Sequence, residues 1–222
     1  MKSTVIFGAI LVFSAILANA QQPAPRHTTA RESLRAAVGS LRSLGPDDRI
    51  AVTKTLPLAE RESLIRAITS QFRQGNGIEN ADSEQEILEH VAATRVKLID
   101  LSGDGIPEVI AQASDDEYCS PTGNCTFWVF LRSGDAYKLI LERIATQSFS
   151  ISPTRTGGFN DLVLAQHGSA FQSNLFVYRF ASGRYRKTSC YEASWGKLLG
   201  DERRELKDPV ITPCRPVGAR KP

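Results

Sequence analysis

The chain lacks most of what catalysis and nucleic-acid binding are built from. Its 222 residues hold three histidines, one methionine and two tryptophans. His90 has no second histidine or carboxylate at a metal-binding spacing. His167 and Ser169 flank Gly168 without the nucleophile elbow or the third group that a hydrolytic triad needs. Neither sign of charge dominates: 27 basic against 24 acidic residues give a formal +3, which provides no footprint for nucleic acid. The four cysteines, Cys119, Cys125, Cys190 and Cys214, all lie in the C-terminal half and form no close Cys-x-x-Cys hooks, which argues against a metal cluster.

Long apolar runs are also missing, except for one. Met1 and Lys2 precede an apolar stretch from Val5 to Leu17, closed by the small residues Ala18-Asn19-Ala20. This is the pattern of a secretory signal over residues 1–20, with Gln21 opening the mature chain. The run is shorter than the roughly 20 residues that span a bilayer, and no basic flank follows it. The expectation is export to the periplasm or the extracellular space, with no integral membrane segment after cleavage. In such a compartment the cysteines form disulfides. Cys119 with Cys125 and Cys190 with Cys214 is the simplest of three pairings, and the sequence does not choose among them.

Residues 21–28, with Pro23 and Pro25, read as a flexible leader, and residues 29–93 as helical. Thr29 and Glu32 make one capping box, and the stripe Leu34, Ala37, Val38, Leu41, Leu44 follows until Gly45-Pro46. Pro57 opens a second helix carrying Leu58, Leu64, Ile65, Ile68 and Phe72, which ends at Gly75-Asn76-Gly77. Ser83 and Glu86 repeat the capping box before Ile87, Leu88, Val91 and Ala92.

From residue 94 to 200 the pattern turns to strands. Val96 and Leu98, Val109-Ile110-Ala111, residues 126–131 and residues 137–141 read as an antiparallel meander, with Phe127, Trp128, Phe130 and Tyr137 as packing elements. A worn second copy follows. Gly157-Gly158-Phe159-Asn160-Asp161 corresponds to Asp104-Gly105-Ile106-Pro107-Glu108, and Ser182-Gly183-Arg184-Tyr185 to Ser133-Gly134-Asp135-Ala136-Tyr137. Residues 191–199 read as a short helix or turn, and residues 201–222 as a tail tethered through Cys214. The expected fold class is α+β: N-terminal helices packed against a duplicated antiparallel β-meander.

The stretch Asp100-Leu101-Ser102-Gly103-Asp104-Gly105-Ile106-Pro107-Glu108 spaces oxygen-bearing side chains around a glycine-rich turn. It resembles the calcium loop of FG-GAP and VCBS-like β-propeller repeats. It is also similar to bacterial secreted proteins that pair an Asp-x-x-Gly-Asp-Gly turn with a small cysteine loop. Two units cannot supply the four or more blades of a complete propeller. The resemblance implies a role in adhesion, in extracellular recognition or as an appendage to an enzyme. Calcium prefers an all-oxygen shell, for which Asp100, Ser102, Asp104 and Glu108 offer side chains and Ile106 its carbonyl. Ser102 at the third position and Ala111 at the twelfth depart from a full EF-hand loop. The competing reading is a turn held by Asp and Ser side chains bonding to the backbone.

The expected function is an exported, non-enzymatic binding or structural module, stabilised by calcium, with a protein or a glycan as partner. One alternative is an inhibitor of an extracellular enzyme using the loop Ser120, Pro121, Thr122, Gly123 and Asn124 between Cys119 and Cys125. Another is a hydrolase gathering Asp104, Glu108, Asp115, Asp116 and Glu117 into one cleft. Arg179, Arg184, Arg186 and Lys187 offer a patch for an acidic partner, or a solvated face that protects a sheet edge.

Overall fold

The computed structural model describes residues 30–45, 47–50, 55–75, 83–199 and 202–214. The expected signal (1–20), leader (21–28), Thr29 of the first capping box, Pro46, Asn76-Gly77 and residues 215–222 lie outside the described residues. Among the described residues the order is α1 (Ala30–Gly39), α2 (Leu58–Gly75), α3 (Glu84–Ala93), then β1 (Arg95–Ile99), β2 (Glu108–Gln112), β3 (Cys125–Ser133) and β4 (Ala136–Thr146). β5 (Ser148–Thr156), β6 (Phe159–Ser169), β7 (Gln172–Ala181), β8 (Arg184–Leu199) and β9 (Glu202–Pro213) complete it.

The α+β expectation is overturned. Among the described residues strands take 53% and helices 22%, and the strands form two antiparallel sheets, so the described part of the protein is mostly β. β1 to β4 follow one another in a four-stranded sheet, and β5 to β9 in a five-stranded one. Two sheets with apolar residues on both faces need cover on their outer sides, and short amphipathic helices supply it. The helices are thus outer cover for a β core.

Three apolar layers follow from the period-2 alternation of the strands. Between the sheets lie Ile110, Phe127 and Val129 from the first and Phe149, Leu162 and Leu164 from the second, with Leu101 and Tyr185 at one end. On the outer face of the first sheet, Val109, Ala111, Trp128 and Phe130 meet Leu64, Ile68 and Phe72 of α2 and Ile87 and Val91 of α3. Across the outer face of the second, Val163, Ala165, Leu175, Ala193 and Ile211 meet Leu34 and Ala37 of α1. The sequence places Phe127 and Trp128 side by side, and the pleat sends them to opposite layers.

Local signals hold where the chain is short of competing partners. α3 carries the full capping box: the Glu86 amide donates to the Ser83 hydroxyl, and the Ser83 amide to the Glu86 carboxylate. α1 stops earlier than its apolar stripe, at Gly39. Beyond it Arg42 exchanges backbone hydrogen bonds of 2.9 Å with Phe149, so Leu44 enters the inter-sheet core from an extended segment.

The C-terminal reading also changes. Residues 191–199, expected as helix or turn, continue β8, where Ala193 is buried and Tyr191 and Trp195 pack on the same layer. Residues 202–213 form β9, which among the described residues is an edge strand that pairs only with β8. Its prolines, Pro209 and Pro213, are tolerated because an edge strand leaves one row of amides unpaired.

Candidate functional site

The loop from Asp100 to Glu108 joins β1 to β2 and closes on itself through hydrogen bonds. The Asp100 carboxylate accepts from the amides of Gly103 (2.5 Å) and Gly105 (3.0 Å) and from the Ser102 hydroxyl (3.3 Å). Asp104 accepts from the Ile106 amide at 2.8 Å, and the Ser102 hydroxyl from the Asp104 amide at 3.3 Å. These are side-chain substitutes for backbone turns. Desolvation pushes the Asp100 carboxyl upward, but the Gly105, Gly103 and Ser102 donors together hold it below its ordinary value.

Glu108 stands apart from the exposed ring. It is buried at the start of β2, and its Oε2 accepts from the amides of Leu101 (2.6 Å) and Ser102 (3.1 Å). Burial pushes its carboxyl above the ordinary value, against those two donors. Glu108 therefore fixes the loop from beneath, while Asp100, Ser102, Asp104 and Ile106 remain on the outer side.

The loop is also a joint between the sheets. The Asn160 amide of β6 donates to the Leu101 carbonyl at 2.8 Å, and the Tyr185 hydroxyl of β8 to the Asn160 carbonyl at 2.8 Å. Arg155 of β5 lies against the loop itself: a Cβ added at Gly103 would meet its Nη1 at 2.7 Å. Among the described residues no group of three or more His, Cys, Asp or Glu side chains gathers in a metal-holding arrangement. The donor set left for calcium is two exposed carboxylates, one hydroxyl and one carbonyl. That falls short of the six to eight oxygens calcium takes, so water would have to complete the shell.

Both disulfides join the pairs expected as simplest. Cys119 and Cys125 close a loop of sequence separation 6, and Cys190 and Cys214 tie β8 to the end of β9 over a separation of 24. Inside the smaller loop the Gly123 amide donates to the Ser120 carbonyl and the Ser120 amide to the Asn124 carbonyl, both at 2.8 Å. Asn124 reaches out of the loop to the second sheet. Its Nδ2 donates to the His167 carbonyl at 2.9 Å, and the His167 amide donates to its Oδ1 at 2.7 Å. Ser120, Pro121, Thr122 and Gly123 are left exposed.

The carboxylates considered for hydrolysis are not brought together. Glu108 opens β2, whereas Asp115, Asp116 and Glu117 lie beyond its other end, after a strand that advances about 3.3 Å per residue. Asp115 and Glu117 instead flank His90, at 3.3 Å from Nδ1 and 3.2 Å from Nε2. The imidazole also stacks on Phe72 and meets Tyr118 edge-on. Sequence reasoning missed this group because its members come from α3 and the β2–β3 connection, with no local spacing to announce it. His167 contributes its backbone, not its ring, to the site at Asn124.

The basic residues are divided as well. Arg179 pairs with buried Asp161 at 3.2 Å, Arg184 with Glu142 at 2.9 Å, and Lys187 lies 5.0 Å from the Phe176 ring centroid. No protein-family model, curated protein or solved structure matches the chain.

Proposed function

We propose that the protein is an exported, non-catalytic binding module whose recognition element is the disulfide-closed loop of residues 120–124, and whose partner is another protein of the same compartment. The observation that carries this reading is the two-bond clamp between Asn124 and the His167 backbone. A loop closed by Cys119 and Cys125 at its ends and anchored to the second sheet loses little freedom when it binds, so its contacts convert efficiently into affinity. Its exposed tip of Ser120, Pro121, Thr122 and Gly123 offers mixed polar and apolar contacts on a fixed base. Insertion of that tip into an enzyme's cleft is the narrower form of the same reading. The scattering of the acidic residues along both ends of β2 supports binding over hydrolysis.

Calcium enters this proposal as a stabilising ion on the outer side of the loop from Asp100 to Glu108. Asp100, Ser102, Asp104 and the Ile106 carbonyl would supply oxygens, with Glu108 holding the backbone in place below them. Export rests on the signal pattern of residues 1–20, and two disulfides suit an oxidising compartment.

The test compares immobilised oxidised protein with a variant in which residues 120–123 are replaced by Gly and Ser, leaving both cysteines and Asn124. Each is exposed to periplasmic and secreted extracts, and any protein captured is purified and titrated directly. Saturable binding by the native loop, lost in the variant while its melting temperature is unchanged, is the expected result. Equal affinity for both chains would overturn the assignment.

A further inference from the structure

A cavity of about 240 Å³ lies on the outer face of the second sheet, beside the first turns of α1. Asp161 of β6 lines it and is 2% exposed. Its Oδ2 is held by Arg179 Nε of β7 at 3.2 Å, whereas its Oδ1 is buried and has no hydrogen-bond partner among the described residues. Buried carboxylate oxygens are almost always satisfied, because water has been lost without replacement. An unmet acceptor in the wall of a cavity is the signature of a place where a bound donor belongs.

We propose that this cavity binds a neutral polyhydroxylated molecule, in the size class of a single sugar ring. Three properties select that chemistry. The volume is below the roughly 300–1,000 Å³ of pockets for drug-sized ligands, which limits the occupant to a small molecule or one terminal unit of a larger one. Charge excludes ions of both signs: a cation would face the Arg179 guanidinium, and an anion would face the buried Asp161 carboxylate. Neutral hydroxyls can donate to Oδ1 without disturbing the ion pair.

The remaining walls match a molecule with polar edges and a C–H face. Ser152 accepts from the Thr154 amide at 3.2 Å, which leaves its own proton to donate into the cavity. Thr154 and Ser189 add two more residues with hydroxyls to the lining, Thr154 from the irregular stretch of β5 between Ile151 and Arg155, and Ser189 from β8, where it pairs with Val177. Val163 and the Tyr191 ring supply apolar surface alongside them, as the less polar face of a pyranose requires. This site is separate from the cysteine loop, which is carried by the first sheet, so either can fail without the other.

The test is an amide-correlation NMR titration of the oxidised full chain with glucose, mannose and N-acetylglucosamine. Acetate and tetramethylammonium serve as the charged comparisons. At least one sugar is expected to give saturable shifts centred on Asp161, Val163, Arg179 and Ser189, with neither ion doing so. Asp161→Asn should weaken that sugar at least tenfold. Thr154→Val, at an exposed position outside the ion pair, should weaken it several-fold in a chain that is still folded. The loop variant with residues 120–123 replaced should bind it unchanged. No saturable shift with any of the sugars, equal binding of acetate or tetramethylammonium, or unchanged sugar affinity in a folded Thr154→Val chain would each overturn the proposal.

Discussion

Asn124 and His167 lie 43 residues apart in sequence and exchange two hydrogen bonds, side-chain amide to backbone on both sides. The pair joins the cysteine loop before β3 to the last third of β6, so it ties the first sheet to the second at the loop's base. Asn124→Ala removes both bonds and leaves the half-buried His167 backbone groups to water. The expected cost is about 1–3 kcal/mol in chemical denaturation. The amides of Ser120, Thr122, Gly123 and His167 should exchange faster with solvent than in the parent chain. A variant as stable as the parent, with unchanged exchange, would show that the disulfide alone positions the loop.

Glu108 makes the stability of the inter-sheet joint depend on pH. Desolvation raises its carboxyl above 4.5 in the folded protein, despite the Leu101 and Ser102 amides. A carboxyl raised by folding contributes stability that is complete below its unfolded value and is lost as pH rises through its folded value. Glu108→Gln keeps an oxygen for the two amides and removes the ionisation. Relative to the parent, the variant should gain stability as pH rises above the ordinary carboxyl value of 4.5, measured as the difference in melting temperature at each pH. A pH-independent difference would contradict the raised carboxyl.

Much of the first sheet was legible because its signals are local. Gly134 at the β3–β4 turn and the alternation through Phe127, Trp128, Val129 and Phe130 declare strands, and Ser83 with Glu86 declares α3. The end of the chain was harder to read. In β9 the charged run Arg203-Arg204-Glu205 and the prolines mask a strand whose only deeply buried anchor among the described residues is Ile211. Tyr191, Ala193 and Trp195 alternate at the strand period in β8, but residues 191–199 were expected as a short helix or turn, which their composition also suits. The contacts around the candidate sites are long-range: Arg155 on Gly103 and Asn124 on His167 follow from how the sheets face each other, and Asp115 on His90 from how α3 lies against the β2–β3 connection, which no short window encodes.

Two glycines that look alike in the sequence should respond differently to alanine. Gly103 has φ of 71° and Gly157 has φ of 59°, so a side chain at either costs about 1–2 kcal/mol in backbone strain. At Gly103 the added Cβ meets the end of the Arg155 side chain, which can move. At Gly157 it comes within 2.6 Å of the Phe180 carbonyl oxygen, which is held in β7. Gly157→Ala is therefore expected to be clearly the more destabilising in equilibrium unfolding. A reversed order would mean that the β5–β6 turn yields more easily than the Arg155 side chain.

The two disulfides should contribute unequally. By loop closure alone, a bridge over a separation of 24 is worth about 3.5 kcal/mol and one over 6 about 2.4 kcal/mol. Cys190→Ser with Cys214→Ser also releases the end of β9, and with it the cover over Ala193. This double variant should melt lower than Cys119→Ser with Cys125→Ser. The latter should instead show its effect in the mobility of residues 120–123, read by amide exchange. Equal melting temperatures would indicate that β8–β9 pairing holds the strand without the bridge.

Arg155 makes the calcium proposal testable through charge. Its guanidinium lies against Gly103, in the turn that carries Asp100 and Asp104, so its positive charge opposes a divalent ion bound at the loop. A millimolar-class site in tenfold excess of calcium would gain about 1.4 kcal/mol, a rise of a few degrees in melting temperature. That rise is expected with calcium and not with magnesium, which dehydrates reluctantly and demands a tighter octahedron. Asp104→Asn should abolish it. Arg155→Gln should enlarge it, because removing the fixed positive charge leaves the oxygens unopposed. If Arg155→Gln unfolds at the same temperature with and without calcium, the loop works as a hydrogen-bonded turn and holds the sheets together through Leu101 and Asn160 alone.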